Sequence, residues 1–229
     1  MEENKTISQE ELEQLMRDAE QGDAEAQYNL AYCYEYGDGI EQDIEKTIYW
    51  YKKAAEQELT PAQVSLGNIY YYGEGVEQDY KQAIEWYALA AEQGDAEAQY
   101  NLATSYAIGE GVEQNAERAV YWYIQAAEQG YTDAQHNLGI RYFEGNGITK
   151  DMEKAVYWLT QAAEQGNLES LYALGSCYFR GAQNYEQAAY WWTKAAEQGH
   201  MNAQNDLGHL YEFGRGVAQS YEMAAYWFT

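Results

Sequence analysis

Six tryptophans hold one register along the chain: Trp50, Trp86, Trp122, Trp158, Trp191 and Trp227, separated by 36, 36, 36, 33 and 36 residues. A side chain of that size recurring on schedule marks a chain built from one small module, and a module this short cannot bury a core alone. Such modules stack, each covering its neighbour's apolar face, and the array presents a long surface instead of a single cleft. Only one proline, Pro61, occurs in 229 residues. That suits an all-α chain, because proline breaks helix interiors.

The third module, Gly94 to Gly130, shows the grammar. Asp95 follows a glycine and precedes a run of helical period, as an N-cap does. Ala98, Leu102 and Tyr106 recur every fourth residue, with small Ala103 beside them, and form one face of a first helix. Gly109 and Gly111 end that helix and turn the chain, and Val112 packs back on its end. Asn115 caps a second helix whose inner face is read as Ala119, Trp122, Ala126 and Ala127.

Each module repeats this plan. The first-helix leucine is Leu30, Leu66, Leu102, Leu138, Leu174 and Leu207, and it is always followed by Ala or Gly. A large residue beside a tiny one lets paired helices approach and interlock. Ahead of the array, residues 1–21 are read as an N-terminal segment and capping helix: Ser8 and Glu11 form a capping-box signature, and Leu12, Leu15, Met16 and Ala19 mark an amphipathic helix that caps the first module. The modules then run 22–57, 58–93, 94–129, 130–165, 166–198 and 199–229. The last is incomplete at Phe228 and Thr229, which reads as truncation or as an apolar end for another chain.

The unit A-E-A-Q-Y-N-L-A, then Y, G-x-G-V-x-Q-D, A, W-Y and A-A-E-Q-G resembles the Sel-1-like repeat, a relative of the tetratricopeptide repeat. The resemblance covers nearly everything after residue 18 and implies a right-handed α/α superhelical solenoid of six helix-turn-helix repeats. It also implies an adaptor or scaffold role in protein complexes, commonly in bacteria. Two departures stand out. The second module opens with Glu58 where the others have glycine, so its junction is expected to be irregular. The fifth, at Gly181 to Asn184, lacks three loop residues and is expected to alter local curvature.

Charge narrows the partners. Thirteen Lys and Arg stand against 38 Asp and Glu, a formal net charge of −25. Nucleic acid and anionic membrane both need clustered cations, so neither is expected as a partner. A basic protein or peptide would be steered toward such a chain. No basic or apolar leader opens the sequence and no apolar run reaches spanning length, so a cytoplasmic location is expected. Cys33 and Cys177 occupy equivalent positions four modules apart, too far to bridge, which fits a reducing compartment.

Chemistry is thinly supported. The GDG, GEG, GNG and GRG loops lack the preceding strand and third glycine of a dinucleotide site, and read as helix stops. His136, His200 and His209 have no ligand-spaced partner and read as surface histidines. No catalytic residue, cofactor or metal is assigned.

What varies between modules is the face of each first helix opposite the leucine stripe. Its positions are Tyr28, Tyr32 and Glu35; Val64, Asn68 and Tyr71; Tyr100, Thr104 and Ala107; His136, Ile140 and Phe143; Tyr172, Ser176 and Phe179; Asn205, His209 and Glu212. The resemblance puts first helices on a concave wall, with Glu25, Glu97, Asp133 and Glu169 along one edge. Exposed, irregular aromatics suit an interface. The expected function is therefore a non-enzymatic scaffold, monomeric or touching another chain by its C-terminal end, that holds a protein or peptide in this groove. An immunity protein for a basic toxin such as a nuclease is a sharper form of the same idea. A hydrolase is the competing class.

Overall fold

In the computed structural model of the chain, residues 7–228 are described. Among them are thirteen α-helices and no strand. They fall into two compact units, one ending at Gln114 and one beginning at Asn115. The first unit holds α1 (Gln9–Glu20), α2 (Ala24–Tyr36), α3 (Ile44–Ala55), α4 (Thr60–Tyr72), α5 (Tyr80–Glu92) and α6 (Ala96–Ile108). The second holds α7 (Ala116–Glu128), α8 (Thr132–Glu144), α9 (Met152–Glu164), α10 (Leu168–Ser176), α11 (Tyr185–Glu197), α12 (Met201–Phe213) and α13 (Tyr221–Trp227). Within each unit, helices adjacent in sequence pack on one another.

Local chemistry explains the punctuation. Asp23, Asp43, Asp95, Asp151 and Asn167 each accept a backbone N–H of the first turn with their side chains, satisfying a donor that the helix leaves free. Ser8 and Glu11 make the reciprocal capping box at the start of α1. Gly37, Gly73, Gly109, Gly145 and Gly214 end first helices in the left-handed conformation, where a Cβ is costly.

The leucine register is fully buried, from Leu30 to Leu207. Trp122 sits differently from the sequence expectation. All six registered tryptophans are half-buried, and in the first five hairpins the central side chain belongs to the next residue: Tyr51, Tyr87, Tyr123, Leu159 and Trp192 are buried. One residue is about 100° of helix, enough to move the tryptophan from the middle of the interface to its edge. There it covers the core, as Trp50 and Trp86 do over Tyr51, Leu66 and Ile69. The tiny residue after the leucine makes room for that central ring, since a Cβ at Gly67 would strike Tyr87 and one at Gly175 would strike Trp192.

A buried glutamine repeats as regularly as the leucine. Gln27, Gln63, Gln99 and Gln135 donate Nε2 to the carbonyls of Ala19, Ala55, Ala91 and Ala127 at 3.0–3.2 Å. Their Oε1 atoms receive Gln57, Gln93 and Gln165 at 2.8 Å in the first, second and fourth modules. Buried amides are costly unless paired, and these pairings stitch each hairpin to its predecessor. The fifth module has Leu171 at this position, and Gln198 turns instead to the Lys194 carbonyl at 3.3 Å.

The two anomalies resolve differently. Glu58 takes φ +64°, the left-handed conformation that Gly22, Gly94, Gly130, Gly166 and Gly199 take at the other junctions, so the expected irregularity is absent. In full-length loops the backbone closes over nine residues, as from Asp79 N–H to the Tyr70 carbonyl at 2.9 Å. In the fifth module a π-helical turn, Cys177–Ala182, and Gln183 at φ +50° absorb the three missing residues. Asn184 N–H then meets the Tyr178 carbonyl, also at 2.9 Å but over six residues.

Candidate functional site

In the first unit the variable face is carried by α2, α4 and α6, whose sequences contain no Lys or Arg. Tyr28 is half-buried, its ring 5.4 Å from that of Tyr51. Glu35 accepts the Tyr51 hydroxyl at 2.5 Å. Tyr32 is 47% exposed and packs 4.4 Å from Tyr36, which is 60% exposed. Asn68 accepts the Tyr87 hydroxyl at 2.6 Å and reaches Glu97 at 3.5 Å. Tyr71 donates to Glu110 at 2.7 Å. Tyr100 and Thr104 are half-buried on α6.

Burial sets the electrostatics of these phenols. Desolvation raises the pKa of Tyr28, Tyr51, Tyr71 and Tyr87. The carboxylates of Glu35 and Glu110 push Tyr51 and Tyr71 further in the same direction, because each stabilises the protonated donor. Tyr51, Tyr71 and Tyr87 are hydrogen-bond donors, to Glu35, Glu110 and Asn68. Exposed Glu25 and Glu97 stand at the N-terminal turns of α2 and α6.

In the second unit the face is carried by α8, α10 and α12. His136 is half-buried, with Nδ1 2.8 Å from Ser170 Oγ, and desolvation lowers its pKa. His200 is buried, caps α12 through Ala203 N–H at 3.1 Å, and stacks on Tyr172 with centroids 4.5 Å apart. Both therefore depart from the surface role read for them. His209 alone of the three is exposed, with Nδ1 3.1 Å from Glu212. Ile140, Phe143, Tyr172 and Phe179 are half-buried, and Lys150 lies 5.1 Å over the Phe143 ring. Tyr172 donates to Asp206 at 3.0 Å.

Phe179 and His209 meet at a cavity of about 250 Å³ whose walls include Arg180, Trp192, Asp206, Phe213 and Arg215. Val64 and Ala107, by contrast, are buried and belong to the core rather than to an open face.

Sequence reading passed over several exposed groups. Tyr36, Tyr72 and Ile108 occupy the last first-helix position, immediately before the left-handed glycine, and are 60%, 65% and 53% exposed. On the second helices, Tyr49, Tyr121, Tyr157, Tyr190 and Tyr226 are exposed, each edge-on to the following tryptophan. The second row was legible as a recurring tyrosine, whereas the first changes from Tyr to Ile between modules. Asp206 carried no signal, since its role depends on Tyr172 across 34 residues.

Among the described residues, no helix is long and apolar enough to cross a membrane, and no group of three or more His, Cys, Asp or Glu is placed to hold a metal ion. Both cysteines are buried free thiols, and desolvation pushes Cys177 up to about 12.

The Sel1 repeat model matches residues 24–59, 60–95, 96–131, 132–167, 168–200 and 202–229. No curated protein matches the chain. Among solved structures, a protective antigen present in uropathogenic Escherichia coli strains is 43% identical with a TM-score of 0.86, over 95% of this chain and 47% of its own. A Sel1 repeat protein from Oxalobacter formigenes is 36% identical with a TM-score of 0.75, over 97% and 65%. A Klebsiella pneumoniae protein at 23% identity and a TM-score of 0.52 shares the fold, over 87% of this chain and 98% of its own. The chain thus spans about half the length of the first and under two-thirds of the second.

Proposed function

This chain belongs to the Sel1 repeat family, and we propose that it is a binding scaffold whose first-helix face holds a polypeptide partner. Proteins of this family mediate protein–protein interaction. The observation that carries the reading here is the face of α2, α4 and α6. Tyr32, Tyr36, Tyr72 and Ile108 are exposed there, Glu25 and Glu97 are exposed at the N-terminal turns of α2 and α6, and these helices carry no Lys or Arg. Tyrosines supply contact area with few rotatable bonds to freeze, which is why they are enriched where interfaces bind hardest. Carboxylates without cations select a basic segment and speed its approach. The face favours binding over catalysis, because Glu35 and Glu110 are engaged as acceptors of tyrosine hydroxyls. The cytoplasm is the compartment proposed, supported by two buried thiols left unpaired.

The test is affinity capture from cells expressing the chain, comparing it with Tyr32→Ala/Tyr36→Ala. Partners of the unsubstituted chain should be lost from the double variant while helicity by circular dichroism is unchanged, and their retention should fall steeply with added salt. Recovery of the same partners by the variant, independent of salt, would remove the reading.

A further inference from the structure

We propose that the cavity beside Phe179 and Phe213 receives a polypeptide segment in which an aspartate or glutamate adjoins a bulky apolar residue. The proposal rests on the polypeptide-binding reading and gives the second unit a recognition chemistry opposite to that of the first.

A different junction, between the second and third modules, is closed by a hydrogen bond. Tyr71 stands thirteen residues into its module and Glu110 sixteen into the next, and their hydrogen bond at 2.7 Å closes the space between two modules. The residues at those places in the last two modules are Phe179 and Arg215. The ring has lost its hydroxyl and the loop residue has reversed its charge, so the closing bond cannot form. A cavity of about 250 Å³ lies at that point.

A second cation adds to the first. Arg180 occupies the position held in other modules by Tyr36, Tyr72, Ile108, Glu144 and Phe213. Two of only 13 cations in a chain of net charge −25 therefore line one cavity. Neither is in an ion pair among the described residues. Asp206, the acid on the same wall, already receives the Tyr172 hydroxyl through Oδ2.

A guanidinium offers a planar fork of donors that matches a carboxylate, and Arg keeps its charge beside apolar surface better than Lys does. The rings of Phe179, Trp192 and Phe213 supply apolar wall, and Arg215 sits 5.7 Å over Phe213. An acid with an apolar neighbour satisfies both parts, and the volume admits about one bulky side chain. The cavity also adjoins exposed His209 on the first-helix face, where a bound chain runs in the reading above.

Two blocked peptides, acetyl-Ser-Glu-Phe-Ser-amide and its Gln counterpart, are titrated into the full ¹⁵N-labelled chain. The Trp192 indole N–H, assigned with Trp192→Phe, reports occupancy. The Glu peptide should shift that signal saturably, and the Gln peptide should bind on the order of tenfold more weakly, as expected for loss of a charge-assisted bond. Arg180→Gln/Arg215→Gln should weaken the Glu peptide by a similar factor, with its peptide-free spectrum otherwise retained. Equal binding of the two peptides, or undiminished binding by the double variant, overturns the proposal. So does phenylacetate binding as tightly as the peptide, which would make the cavity a small-acid site. If any of these occurs while Tyr32→Ala/Tyr36→Ala still loses its partners, the binding reading stands and only this proposal falls.

Discussion

Tyr71 on α4 donates its hydroxyl to Glu110 Oε2 at 2.7 Å, joining two modules across 39 residues of sequence. Because both groups are half-buried, the bond is partly shielded from water and from salt. Tyr71→Phe keeps the ring packed against Tyr72 and Tyr80 but leaves Glu110 without that donor. A loss of about 1 kcal/mol is expected, read as a lower urea midpoint. A double-mutant cycle with Glu110→Ala should show coupling of similar size. Additive losses would mean that the two side chains act independently.

Glu58 is the one module-opening residue that is not glycine, yet it adopts φ +64°. An L side chain in that conformation costs roughly 1 kcal/mol or more. Glycine removes the cost but gives the unfolded chain more freedom, which returns part of it. Glu58→Gly should therefore stabilise the chain by about 0.5 kcal/mol, seen as a raised urea midpoint. A lowered midpoint would show that the exposed Glu58 side chain contributes more than its backbone strain removes.

Alkaline pH should expose the buried phenols. Desolvation, the largest cause in each, holds Tyr51, Tyr71 and Tyr87 above their ordinary pKa of 10.0. Their contribution to stability is complete below that value. It is lost as pH rises beyond it, because the unfolded chain gives up its phenolic protons first. Denaturation midpoints should stay level to about pH 9 and fall by about pH 11. Near-ultraviolet phenolate absorbance should show a group of tyrosines that ionise only on unfolding. A flat midpoint, or all tyrosines titrating together in the folded chain, would contradict this.

These contacts also show where sequence reading stops. Helix caps, left-handed glycines and the leucine stripe are local, so Asp95, Gly109 and Leu102 could be placed by spacing alone. The position of Trp122 could not be fixed so finely, because a stripe of aromatic pairs leaves open which member faces the centre, and Tyr123 takes it. The row of candidate binding residues lies on the first helices, but its exposure depends on tertiary packing, which leaves Tyr32 open and buries Val64. Pairings such as Tyr172 with Asp206 need the register of one helix against the next, which periodicity does not contain. The charge reversal at Arg215 was different: the GRG loop was visible beside GDG and GEG, and only the cavity gave it meaning.

Gly67 tests whether packing or propensity governs the hairpin core. Alanine at a helical glycine ordinarily gains about 1 kcal/mol, and Ala31 and Ala103 stand at this position in other modules. In the second module, however, an added Cβ would run into the Tyr87 ring. That ring is buried and is held at its far end by the hydroxyl bond to Asn68 at 2.6 Å, so it cannot move without breaking a polar contact. Overpacking of this kind costs roughly 1–3 kcal/mol, which exceeds the propensity gain. Gly67→Ala should lower the urea midpoint by an amount equivalent to about 1 kcal/mol, and Tyr87 should ionise more readily once its bond to Asn68 is strained. A raised midpoint would mean that Tyr87 shifts as Tyr51 does beside Ala31, and that the ring follows the small residue rather than dictating it.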